Sequence, residues 1–322
     1  MPGESFPLVS ITIPTYNRAD GYLRQAIECA LRQTYQDIEI IVSDNCSTDT
    51  TERVVKGFND PRIRYFRHKE NIGANNNFNF CLKEARGNYF LLLHDDDLID
   101  ADFIETCLRS VDYRTDVGVV LTGNRVIDAE GKARHETPNT LGGCSTENFF
   151  RGWFASKTAL YLCSTLFNTA GLREIGGFRS RHNLFQDVVA EVRLAAKFGR
   201  ADVREVKASY RKHPFEMTFA VKVRDWCEDS LLLLNLMCEL AAENPELIRT
   251  EGMRFFATLN YNRARAVRSP LRRFLAYLTV FGMFRFRHLP PRAHIISPLY
   301  NLLEGTPVHH AVRSLKRRFG ER

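Results

Sequence analysis

Apolar positions in the first 125 residues alternate between a period of two and a period near 3.6. The β-branched run Val9-Ser10-Ile11-Thr12-Ile13, ended by Pro14, predicts a strand. Asp20 can cap a helix in which Leu23, Ile27, Ala30 and Leu31 share one face. Ile38 to Val42 predicts a second strand, and Ser47 or Thr48 can cap a short helix through Phe58. A third strand is expected over Arg62 to Phe66, then a helix over Asn75 to Ala85 with Gly87 just beyond its end. Tyr89 to Leu93 predicts a fourth strand, Asp100 a cap for a helix to about Val111, and Val117 to Leu121 a fifth strand. This alternation predicts an α/β fold with a mostly parallel, doubly wound, Rossmann-like sheet. Strands two and four are nearly continuous apolar runs, as sheets covered by helices on both faces require. Such sheets bind ligands beyond the carboxyl ends of their strands.

From 126 to 220 the pattern is less regular. Asp128-Ala129-Glu130-Gly131 reads as a turn, and Gly176-Gly177-Phe178 as a break before a helix over Val188 to Phe198. Residues 221–322 form a third stretch, strongly helical from Asp225 to about Glu243. Beyond that it is basic and broken at Pro270, Pro290-Pro291 and Pro298.

Charge sharpens that division. Of the net +7, residues 251–322 hold 14 Lys+Arg against 3 Asp+Glu, while residues 1–250 hold 31 against 35. Apolar residues at 44% and charged residues at 26% exclude a disordered, collagenous or coiled-coil chain. The eight cysteines are scattered without a Cys-x-x-Cys pair, so neither a zinc site nor a disulfide scaffold is expected. No apolar run reaches about 18 residues, so no spanning helix is expected. Met1 to Pro7 lacks the pattern of a signal peptide, and a cytoplasmic location follows as an expectation.

Three polar clusters stand at the ends of apolar strands. These are Pro14-Thr15-Tyr16-Asn17-Arg18, Ser43-Asp44-Asn45-Cys46-Ser47-Thr48-Asp49, and His94-Asp95-Asp96-Asp97. Three successive carboxylates repel one another, and a cation relieves that. Hard oxygen ligands suit Mg²⁺ or Mn²⁺. A solvated loop with a helix cap is the plainer alternative. Neither the glycine fingerprint of dinucleotide-binding proteins nor a phosphate-binding P-loop is present.

The runs VSITIPTYNR, IVSDNCSTDTT, ENIGANNNFN and GNYFLLLHDDD, in this order and spacing, resemble glycosyltransferase family 2 with its GT-A fold. The resemblance covers about 210 residues and says little about the sugar. It implies a GT-A catalytic domain over 1–220, with nucleotide-sugar binding in 1–125 and acceptor binding in 126–220, followed by a helical basic region over 221–322. Pro14, Thr15, Tyr16 and Asn17 are implied to wall the donor pocket, Asp44 to accept from the base, and Asn71 and Asn75 to pass over the nucleoside. Asp95 is implied to lie by the ribose. Asp96 and Asp97 are implied metal ligands, with His213 of the Tyr210-Arg211-Lys212-His213-Pro214 segment as a third. Many members carry an acidic residue where this chain has His94. Asp187, in a Gln186-Asp187 pair where the family often has Glu-Asp, is the implied catalytic base. The structural alternatives are a helix cap for Asp187, and a surface or core position for His213. Arg211 and Lys212 pair with phosphate or stand exposed. Trp153 and Trp226 stack on sugar or pack in the core.

The activity so implied is metal-dependent, inverting transfer from a UDP-, GDP- or dTDP-linked sugar to a glycan or lipid-linked acceptor. The metal is Mn²⁺ or Mg²⁺. Bacterial surface polysaccharide synthesis is the setting the resemblance suggests. The basic C-terminal region suggests a peripheral place at the inner face of the cytoplasmic membrane, on anionic lipid. Competing readings are a nucleotidyltransferase on a similar sheet and a non-catalytic basic binding protein. The acidic N-terminal part argues against nucleic acid as the partner of the basic segment.

Overall fold

The computed structural model describes residues 6–19, 21–213 and 221–291. Its first half runs β1 (Val9–Thr15), α1 (Tyr22–Leu31), β2 (Ile38–Asp44), α2 (Thr51–Lys56), β3 (Ile63–Arg67), α3 (Ala74–Glu84), β4 (Tyr89–Leu92), β5 (Leu98–Ile99) and α4 (Phe103–Arg109). Next come β6 (Val119–Ile127), β7 (Ala133–Thr137), α5 (Thr146–Phe154), β8 (Thr165–Asn168), α6 (Thr169–Glu174), α7 (Gln186–Phe198) and β9 (Arg200–Arg211). The helices α8 (Val223–Leu240), α9 (Pro245–Arg265) and α10 (Pro270–Met283) follow.

The sheet order is β3-β2-β1-β4-β8-β6-β9-β5, with β7 paired to β6. The strands β3, β2, β1 and β4 are parallel, as the alternation predicts. Beyond β4 the sheet is mixed, because β8 runs antiparallel to both β4 and β6. The expected fifth strand is the start of the longer β6, and it does not neighbour β4. β8 lies between them and puts Phe167 opposite both Phe90 and Val119. Every residue of β1 and β2 is buried, so these strands form the floor of the core. Gly87 follows from that packing, because a Cβ there would stand 2.6 Å from the Ser10 nitrogen and 2.7 Å from the Leu8 oxygen.

Helix starts differ from the expected caps. α2 starts after Thr50, and Asp49 Oδ1 accepts the Thr51 N–H at 3.0 Å; Ser47 serves another loop. α4 starts after Asp102, and Asp100 contributes its carbonyl to the Phe103 N–H. α1 has Gly21 as its cap residue, and Asp20 lies outside the described residues, as does Pro298.

Two compact units emerge. One takes the described residues of 1–220 together with Leu232–Glu251, the other those of Val221–Leu231 and Gly252–Arg322. In the second unit Trp226 is buried, with the Arg263 guanidinium 3.7 Å above its ring. Asn260 there donates to the Ser230 hydroxyl at 2.9 Å, and Tyr261 to the His288 carbonyl at 2.8 Å. All eight cysteines are free thiols.

Candidate functional site

The loops that leave β1 and β2 are sewn together by side chains. Asn17, in the left-handed region at φ 52°, donates its N–H to the Ser47 hydroxyl (2.9 Å) and accepts the Thr48 N–H on Oδ1 (2.8 Å). Asp49 Oδ2 accepts the Ala19 N–H at 3.0 Å. Asp44 has no exposed surface; Oδ1 accepts the Ser47 N–H (2.8 Å) and Oδ2 the Tyr65 hydroxyl (2.6 Å). Asn45 extends the stitching to the loop before α3, donating to Asn71 Oδ1 (2.9 Å) and accepting the Ile72 N–H (2.8 Å). Beneath them Ser43 donates to Asn77 Oδ1 at 2.6 Å, and Asn77 donates back to the Ser43 carbonyl. Tyr16 stands 45% exposed at the rim, above the buried Thr15.

The loop after β4 is different. His94, Asp96 and Asp97 each offer a ligand atom, and these atoms lie within 4.8 Å of one another. His213, almost fully buried, places Nε2 2.9 Å from Asp96 Oδ2. Arg18 leans on the same cluster, 3.7 Å from Asp95 Oδ1 and 3.8 Å from Asp96 Oδ2. Burial raises the Asp95 carboxyl above its ordinary range, and the charge of Asp96 adds to that. Burial likewise raises Asp97, while the His94 ring 3.7 Å away opposes the rise. For His94 burial disfavours the charged form, yet the hydrogen bond and charge of Asp97 prevail and lift it to about 9.

Arg211 holds this loop from behind. Its backbone N–H donates to Asp97 Oδ1 (2.9 Å) and its Nε to the Asp96 carbonyl (2.7 Å). The remaining nitrogens reach the Ala129 carbonyl (3.1 Å) and Gln25 Oε1 (2.9 Å), and the guanidinium lies 4.5 Å from the Tyr22 ring centre. Arg211 is 2% exposed and fully engaged, so the expected pairing with phosphate is replaced by a buried strut. Lys212 is exposed.

Asp187 stands in the first turn of α7, where the free N–H groups favour a carboxylate. Burial pushes its carboxyl up, opposed by the Val188 N–H and then by the charge of His94. One turn on, Glu191 is completely buried. Its Oε1 accepts the Thr165 hydroxyl at 2.6 Å, and Oε2 has no hydrogen-bond partner among the described residues. The segment leading to α7 is fastened at Phe178, which donates its N–H to Asn79 Oδ1 (2.9 Å) and accepts from Asn79 Nδ2 (3.0 Å).

A family model described as glycosyl transferase family 2 matches residues 10–176. The chain belongs to glycosyltransferase family 2. Relatives of this glycosyltransferase include a chondroitin synthase of Escherichia coli, 39% identical over 127 residues, 39% of this chain and 18% of that one. An uncharacterized glycosyltransferase of Rickettsia typhi is 44% identical over 125 residues, 38% of each chain. This chain spans 18% and 30% of the length of two further such enzymes from Rickettsia bellii and Rickettsia felis. Among solved structures, Staphylococcus aureus TarS superposes with a TM-score of 0.68 at 18% identity, over 86% of this chain and 48% of that one. A mannosyltransferase of Pyrobaculum calidifontis, in complex with GDP-Man and Mn²⁺, gives 0.55 at 16% identity over 99% and 89%. At such identities the likeness establishes the GT-A fold.

The expected site residues fall into three places in this glycosyltransferase. Tyr16, Asn17 and Asn71 stand in the sewn loops, with Pro14 and Thr15 at the end of β1, Asp44 at the end of β2 and Asn75 in the first turn of α3; Asp95, Asp96, Asp97 and His213 form the acidic cluster; Asp187 stands in the first turn of α7, whose cap residue is Phe185 instead of the expected Asp187. The donor set fits a hard divalent cation, because carboxylates and imidazole converge where burial leaves negative charge poorly compensated. Four residues go beyond the expected set: His94, Arg18, Asn45 and Glu191. His94, Arg18 and Asn45 stood in the polar clusters at the strand ends without an assigned role; Glu191 shows itself only once the chain is folded.

Proposed function

We propose that this glycosyltransferase moves a sugar from a UDP-, GDP- or dTDP-linked donor to a hydroxyl of a glycan or lipid-linked acceptor, with inversion at the anomeric carbon. The observation that carries the reading is the pairing of a cation-ready cluster at His94, Asp96 and Asp97 with a half-buried carboxylate, Asp187, at the start of α7. Solved neighbours described with UDP-GlcNAc, with UDP, and with GDP-Man and Mn²⁺ support a nucleotide-sugar donor. The chondroitin synthase relative supports a glycan acceptor; bacterial surface polysaccharide synthesis at the cytoplasmic side of the membrane is the setting of this proposal.

Tyr16, exposed at the rim, covers the base, and Pro14, Thr15 and Asn17 wall the pocket. Asn71 and Asn75 lie over the nucleoside. Asp44 offers a base only the lone pairs that Ser47 and Tyr65 leave free, so its main work is to hold the floor. Asp95 faces the ribose. Asp96 and Asp97, with His94 or His213, would hold Mn²⁺ or Mg²⁺, and a cation there would supply positive charge to the leaving diphosphate. Arg18, which leans on Asp95 and Asp96, would pair with the phosphate oxygens.

Asp187 accepts the proton of the acceptor hydroxyl as that oxygen bonds to the anomeric carbon. The bond to the phosphate oxygen breaks, and the nucleoside diphosphate departs. General base catalysis is worth roughly 10²–10⁴-fold, so Asp187→Asn is expected to lose that much kcat while keeping donor affinity. The decisive test is thermal unfolding with UDP, GDP, dTDP and CMP, each with and without Mn²⁺. A ligand at a hundredfold excess over Kd stabilises by about 2.7 kcal/mol. One diphosphate should shift the transition, and only with the cation. No shift with any of them would overturn the donor site. Pyrophosphate release from a nucleoside triphosphate would instead mark a nucleotidyltransferase.

A further inference from the structure

Nine large apolar side chains stand exposed among the described residues, and six of them lie between Leu271 and Leu289. Four of these six are ordered on one helix. Leu271, Phe274, Leu275 and Leu278 recur on α10 at the spacing that aligns side chains along one face, and they are 69%, 60%, 52% and 49% exposed. Val280, half a turn round the same helix, is fully buried. α10 is therefore apolar on two opposite faces, one packed and one bare. A helix that only covers a core needs one such face.

The surroundings decide what the bare face meets. Between Gly252 and Pro291 the chain carries eight arginines, no lysine and no acidic residue. Arg268 and Arg272, both exposed, stand at the start of α10. Ser269 caps the helix and Pro270 opens it, so the stripe is held on a preformed helix. A second copy of this chain would set arginines against arginines. The sequence of 292–322, with six Lys+Arg against two Asp+Glu, is no better complement. No helix among the described residues is long and apolar enough to cross a membrane.

We propose that the Leu271–Leu278 face of α10 docks on an anionic lipid bilayer, its leucines and Phe274 in the acyl boundary and its arginines among the headgroups. The binding needs neither donor nor cation, so it stands or falls apart from the transferase reading.

The test is co-flotation of the full chain with phosphatidylcholine vesicles and with equimolar phosphatidylcholine–phosphatidylglycerol vesicles, at low and at high salt. The expected result is recovery with the anionic vesicles alone, weakened by salt. Leu275→Ser combined with Leu278→Ser should lower the affinity about tenfold, and Arg268→Gln and Arg272→Gln about fivefold each. Phe274→Trp supplies a readout that survives poor folding of the serine variant: its fluorescence should be quenched by brominated lipid. Equal recovery with neutral vesicles, undiminished binding of the serine variant, or no quenching of Trp at this position overturns the proposal. So does a dimer in sedimentation that the serine variant returns to monomer, which would assign the face to a second copy.

Discussion

The loops after β1 and β2 and the loop after β4 stand at neighbouring strand ends, yet they handle negative charge in opposite ways. Asp44 and Asp49 turn each carboxylate toward backbone N–H groups of these two loops and toward the Tyr65 hydroxyl on β3. Asp95, Asp96 and Asp97 have each other for neighbours, and burial pushes Asp95 and Asp97 upward. Arg18 and His94 supply the countercharge, with Arg18 no closer than 3.7 Å, and the His213 ring stands 2.9 Å from Asp96 Oδ2. The first region meets its carboxylates from within. The second keeps an electrostatic deficit that a divalent cation would remove.

The largest test of this contrast is Asp96→Ala. It should abolish the cation-dependent part of the nucleotide-induced shift and lower turnover at least a hundredfold, the lower bound for losing a charge-stabilising group. The fold itself should survive, since fewer carboxylates repel. A nucleotide affinity equal to the parent's in Mn²⁺ would end the metal assignment.

Next comes Arg211→Met. It strips hydrogen bonds from the Asp96 and Ala129 carbonyls and from Gln25, each worth about 1–3 kcal/mol when left unpaired in a buried place. Denaturant unfolding should show a loss of about 3 kcal/mol. Raised Mn²⁺ demand at unchanged cation-free nucleotide affinity would separate a strut from a phosphate ligand. Asp44→Asn, in the first region, should cost about 1–3 kcal/mol of stability and leave cation dependence alone. Loss of cation dependence there would erase the contrast.

The smallest effect is expected at Glu191. Burial, and then the charge of Asp187, hold its carboxyl well above the ordinary value of about 4.3. The folded chain keeps a proton that the unfolded chain has released, so stability falls as pH rises from that value toward the folded one. Glu191→Gln removes this loss. Its melting temperature should exceed the parent's at alkaline pH and meet it near pH 4, as thermal scans across pH would show.

The parallel strands were readable because β1 is a β-branched run and β2 and β4 are nearly continuous apolar runs, each followed by polar residues. β8 was not, because four residues carry too little pattern and its partners, Phe90 and Val119, lie far away in sequence. The polar residues at strand ends were legible for the same reason as the strands. Which of them are spent on structure was not. Ser47 reads as a helix cap until Asn17 claims it, and Arg211 reads as a phosphate ligand until the carbonyls of two loops enclose it. Glu191 falls on the buried face of α7, where the helical period expects an apolar residue.

Asn79 and the backbone of Phe178 exchange two hydrogen bonds, and Gly177 sits directly beneath them. A Cβ at Gly177 would come within 2.2 Å of Asn79 Oδ1, and its φ of 76° already suits glycine. Neither position can drift alone through mutation. A side chain at 177 evicts Asn79, and a larger residue at 79 has no room above the glycine. In a lineage of this chain the two should therefore be inherited as a pair, and a double replacement should be tolerated sooner than the replacement of Gly177 by itself.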